Sequence, residues 1–120
     1  MKPMSYRAAK AEAKRIVEMA LAEHGTPRKS DDFVKVIDTI EKEAYKWRMK
    51  AALAIMIYRV DDTRWMHKRK AAFVETERKT TYRIYDELEP MIEELKLGFR
   101  EAVARWYSKY GHRTSRKVSS

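Results

Sequence analysis

Cysteine is absent from the chain, and 120 residues contain only three glycines and three prolines. Without thiols there is no disulfide framework and no thiolate metal site, a composition that suits a reducing compartment. So few turn formers allow few chain reversals, and the wealth of Ala, Glu, Lys, Arg and Met turns the intervening segments towards long helices. Long apolar runs are missing too. No stretch approaches the ~18 consecutive apolar residues of a membrane span. Met1-Lys2-Pro3-Met4-Ser5 leads straight into a charged amphipathic segment with no apolar core of signal-peptide type. The expectation is a soluble, cytoplasmic protein with no membrane partner.

What the chain does have is charge, with 27 Lys/Arg against 18 Asp/Glu and a formal net charge of +9. With 44% hydrophobic residues it belongs among globular chains, and its length suits one domain with a real core. The positive excess lies in residues 1–60 and 91–120, because cations and carboxylates balance between 61 and 90.

Hydrophobic spacing predicts an all-α fold. A first helix starts at a Ser5 N-cap and runs to about His24, where Gly25 supplies the stop. Tyr6, Ala9, Ala13, Ile16, Val17 and Ala20 form its thin inner face. After the linker 25–30, Ser30 or Asp31 caps the strongest segment, about 32–60, whose stripe passes through Val36, Ile40, Ala44, Trp47 and Ala51. A second stripe, Met49, Leu53, Met56, Ile57 and Val60, lies opposite. Residues 51–58 are therefore apolar nearly all round and need cover on both sides, from flanking helices or from a homodimer made through that stripe.

Asp61-Asp62-Thr63 offers a break and a new cap. The segment from about Arg64 to Tyr85 reads as a helix, although the β-prone run 80–85 would suit a strand if a partner strand existed. Pro90 fits the first turn of a last helix, whose stripe includes Leu88, Ile92, Leu95, Phe99, Trp106 and Tyr110 before Gly111 ends it. The expected architecture is a compact bundle of three or four helices with a long central second helix (about 32–60). It forms one domain, 1–111, followed by a basic flexible tail, 112–120.

Signs of catalysis are sparse. His24, His67 and His112 have no second ligand at helical spacing, and no glycine-rich loop frames a phosphate, so neither metal nor cofactor is expected. Asp61 or Asp62 with Glu77-Arg78-Lys79 has the spacing of a Mg²⁺ nuclease motif, but that motif needs a sheet to converge its residues. The fragments 70–74 and 80–88 have a helix-turn-helix rhythm without the glycine of the turn. A non-catalytic role is the expectation.

The basic features carry more weight. Arg64-Trp65-Met66-His67-Lys68-Arg69-Lys70 packs cations around a tryptophan. On a helix, Trp65, Lys68, Arg69, Lys79 and Arg83 share a face around Ala72, with Trp65 or Tyr82 available to stack on bases. Arg113, Arg116 and Lys117 make the tail an electrostatic arm. These features predict a small basic protein that binds DNA or RNA, or acts in a nucleic-acid-associated complex, through Lys/Arg–phosphate contacts. The alternative is a helical interaction module (adaptor, assembly factor or small inhibitor) that docks on an acidic protein partner.

Overall fold

Ser5 opens the first helix as its sequence position requires. Its Oγ accepts the Ala8 amide at 3.2 Å and its carbonyl accepts the Ala9 amide at 2.9 Å. Gly25 closes that helix with φ +78°, and its amide returns to the Leu21 carbonyl at 2.7 Å. In the computed structural model the chain forms three helices, α1 (Tyr6–His24), α2 (Ser30–Val60) and α3 (His67–Ser119). The structure describes residues 2–60 and 67–119; the side chains of 57–60, 67–70 and 111–119 lie outside the description. Among the described residues there is no strand, so the all-α expectation holds.

Cross-links between side chains define the packing. His24 Nε2 meets Thr39 Oγ1 at 2.6 Å and Arg15 approaches Glu43 at 3.8 Å, so α1 and α2 run antiparallel. Thr81 Oγ1 donates to the Trp47 carbonyl at 3.1 Å, while Phe33 crosses α3 at Gly98, so α2 and α3 are antiparallel as well. The alanine face of α1 (Ala9, Ala13, Ala20) allows close approach to both partners. Ile16, Val36, Ile40, Ile84 and Leu88 are completely buried between the three helices. Each such side chain contributes roughly 1.5–3 kcal/mol by leaving water.

Three sequence expectations are corrected. The longest helix is the third, with 53 residues against 31 for α2, although the number of helices, three, is within the expected three or four. Pro90 lies inside α3 and does not begin a new helix. An internal proline costs about 3 kcal/mol, but Ile84 and Leu88 before it and Met91, Ile92 and Leu95 after it all pack on the same core. Gly111 does not end the helix either; the backbone stays helical to Ser119. Among the described residues only Gly25 takes the positive φ of a helix-stopping glycine.

The cap of α2 also differs from expectation. Neither Ser30 nor Asp31 holds it. Asp32 Oδ2 accepts the amides of Lys29 and Arg28 at 3.1 and 3.3 Å, and these bonds hold its carboxyl below the usual carboxylate range. A carboxylate reaching back from the third helical position is the second half of a capping box.

The outline is a slender rod of 75 × 30 × 20 Å. Since α1 spans only Tyr6–His24, only the middle of the rod is three helices thick. Towards one end α2 and α3 continue as a pair, and towards the other α3 extends alone past the start of α2. No helix among the described residues is long and apolar enough to cross a membrane.

Candidate nucleic-acid interface

The end where α3 outruns α2 gathers cations and aromatic rings. Among the described side chains, Ala102 is the last buried one of α3. One turn further on, Arg105 Nη2 donates to the Arg28 carbonyl at 3.3 Å and ties α3 to the linker. That contact closes one side of a cleft of about 540 Å³ lined by Arg28, Lys29, Arg105, Trp106, Lys109 and Tyr110, together with the first residues of α2. Four cations thus face the cleft, with Asp31 as the carboxylate among its lining residues.

The rings are open to solvent. Trp106 is 54% exposed, Tyr107 60% and Tyr110 46%. Trp106 meets Tyr107 edge-on with ring centres 5.2 Å apart, and Tyr110 in a tilted contact at 5.5 Å. The Lys109 ammonium stands 5.5 Å from the Tyr110 ring. Helical spacing produces this array, because positions 105, 106, 109 and 110 continue the buried line of Ala102 beyond the point where α2 is there to cover it. In sequence, the side chains after Ala102 include Arg105, Lys109, Arg113, Arg116 and Lys117 and no carboxylate.

An exposed ring beside a cation is the equipment for stacking a base while neutralising its phosphate. Among the described residues no group of three His, Asp or Glu side chains converges to hold a metal ion.

Of the residues singled out from sequence, the described ones do not form one open face. Arg64 and Trp65 lie outside the described residues, and so do the side chains of Lys68, Arg69, Arg113, Arg116 and Lys117. Lys79 is on the surface 3.9 Å from Glu75. Arg83 is turned inward: its Nη1 donates to the Met4 carbonyl at 2.8 Å and its guanidinium lies 4.4 Å from the Tyr6 ring. Tyr82 is exposed with Arg78 at 6.0 Å from its ring. Met49, Leu53 and Met56 are exposed, so the described part of the second α2 stripe is only partly covered; the side chains of Ile57 and Val60 are outside the description.

The cluster around Trp106 was not anticipated. Trp106 and Tyr110 were expected on the inner stripe of the last helix, whereas α2 begins too late to shield them. The available signal was the run Arg105-Trp106-Tyr107-Ser108-Lys109-Tyr110, with aromatics and cations interleaved and no acid. No protein-family model, no curated protein and no solved structure matches this chain.

Proposed function

We propose that the protein binds single-stranded nucleic acid with the overhanging part of α3, without catalysis. The observation that carries this reading is the joint cleft of Arg28, Lys29, Arg105 and Lys109 with the exposed rings of Trp106 and Tyr110, and exposed Tyr107 packed on Trp106 outside its lining. Cations alone would serve any polyanion. Three solvent-open rings favour bases that are free to unstack, which a duplex does not offer.

The test is fluorescence anisotropy with short labelled RNA, single-stranded DNA and duplex DNA at rising salt. Four phosphate contacts to a single strand predict an affinity loss of roughly 50-fold between 50 and 200 mM salt. Arg105→Ala with Lys109→Ala lowers the slope of log affinity against log salt by about 1.4. Trp106→Ala weakens binding by about 5- to 150-fold, the range for one lost base stack, and leaves the slope unchanged. The absence of binding to all three probes at low salt, or equal losses on duplex and single strand in the Trp106 variant, sinks the reading.

The interaction-module alternative keeps one specific support. Tyr45, Met49, Leu53 and Met56 expose apolar surface along α2, far from the aromatic cleft. Its partner would be protein, since apolar contact area and not phosphate neutralisation is what that face supplies.

A further inference from the structure

α1 covers one side of the α2–α3 pair. The other side is an open groove whose character changes along its length. One stretch is lined by Glu41, Asp86, Glu89 and Glu93, with Lys96 already 3.6 Å from Glu93. The adjoining stretch is lined by Arg48, Arg78, Thr81 and Tyr82. Arg48 and Tyr85 border both stretches, and Tyr45 stands beside them. The antiparallel register set by the Thr81–Trp47 bond puts the carboxylates towards the start of α2 and Arg78 towards its end, with Tyr45, Tyr85 and Arg48 at the junction and Tyr82 level with Arg48.

We infer that this groove is the interface of a homodimer in which a second copy packs across it about a two-fold axis through the tyrosines. The order of charges selects that occupant. A nucleic acid is disfavoured because the carboxylates occupy half the groove. A fitting surface must carry cations opposite the acidic stretch and carboxylates opposite the basic one. A copy of the same groove turned end over end presents that pattern, the self-complementarity of an isologous contact. Glu41 and Glu89 of each copy then approach Arg48 and Arg78 of the other, with Tyr45, Tyr82 and Tyr85 packing at the centre.

The size is adequate for a modest dimer. Some 20 residues of paired helix span about 30 Å, and two helices side by side are about 20 Å wide, so the contact buries on the order of 1,200 Å² in total. That is the lower end of specific interfaces and predicts association in the micromolar range. The net charge of +9 opposes approach, but beyond about 8 Å physiological salt screens it, leaving the facing pairs to decide.

Sedimentation velocity of the full chain from ~5 to ~200 µM, the range where such an interface titrates, is the experiment. The wild type is expected to pass from monomer to dimer. Arg48→Glu with Arg78→Glu yields a monomer, because acid then faces acid, and Glu41→Lys with Glu89→Lys yields a monomer by the opposite repulsion. Mixing the two variants restores a one-to-one dimer, and all four substitutions in one chain restore self-association. The four side chains are exposed, so helicity by circular dichroism should be retained. If a charge variant loses helicity, Tyr45→Ala with Tyr82→Ala takes its place, with an expected loss of at least about tenfold in association for two central aromatic contacts. A wild type that stays monomeric, a dimer indifferent to these substitutions, or a mixture that stays monomeric overturns the inference. None of these residues belongs to the aromatic cleft, so either proposal can fail while the other stands.

Discussion

Met4 is fastened by both of its backbone polar groups. Its amide donates to Thr80 Oγ1 at 3.0 Å and its carbonyl accepts from Arg83 Nη1 at 2.8 Å. Neighbouring Thr81 donates to the carbonyls of Trp47 and Glu77, at 3.1 and 2.8 Å. Two threonines in the middle of a helix look like strand formers in sequence, yet here their buried hydroxyls find backbone partners on Met4, Trp47 and Glu77 and so avoid the cost of burial unpaired. Such pairing with residues more than 30 positions away has no local signature. Glu12 is a residue whose effect is measurable by pH. Its bond to Arg15, with Nε to Oε2 at 2.9 Å, holds its carboxyl below the ordinary value of 4.5. A lowered folded-state value means stability that is present above the unfolded value and lost as pH falls through the folded one. Glu12→Gln should therefore be less stable than the wild type near pH 6, and the gap should close on acidification below about pH 4. Urea melts at both pH values check this, and a gap of constant size refutes it.

Along each element, 3.6-residue periodicity made much of the fold legible. Ala9, Ala13, Ile16 and Ala20 on α1, and Val36, Ile40, Ala44 and Ala51 on α2, are buried as their spacing requires. Helix boundaries in the second half were less legible, because Pro90 advertises a local cost of about 3 kcal/mol that core packing on both sides of it exceeds, and Gly111 offers a stop that the backbone does not take. The exposure of Trp106 and Tyr110 depends on how far α2 reaches along α3, a matter of hairpin register that no window of sequence contains. Gly98 is where local preference and packing diverge most clearly. Alanine would favour the helix by about 1 kcal/mol. A Cβ there, however, would lie 2.5 Å from Phe33 Cε1 and 2.9 Å from Cζ, too close for a rigid ring to tolerate. Gly98→Ala is expected to destabilise by about 1–2 kcal/mol despite its helix propensity, the usual scale of overpacking. Adding Phe33→Leu should recover part of the loss. A thermal melt in which Gly98→Ala alone raises Tm contradicts the close approach of the two helices.

As a whole the molecule has a radius of gyration of 20.7 Å, where a compact domain of this length would have about 14 Å. The excess comes from one unbroken helix that outlasts both partners, placing the open groove along the rod and the aromatic cleft at one end. Because α3 is continuous, the bundle and the cleft are locked in rotational phase. One residue inserted between Ala102 and Val103 would turn everything beyond it by about 100° and slide it 1.5 Å. Arg105 would leave Arg28, and Trp106 and Lys109 would face away from Lys29. Seven inserted residues would restore the phase while moving the rings about 10 Å outward. Binding lost with one and regained with seven means that the overhang recognises its ligand by orientation, with the linker cations contributing little. Binding lost with both means that Arg28 and Lys29 must meet the same strand as Arg105. Binding indifferent to both insertions refutes a cleft shared between α3 and the linker. The helix is thus a drive shaft as well as a support: whatever holds the bundle sets the angle at which the far end presents its rings and cations.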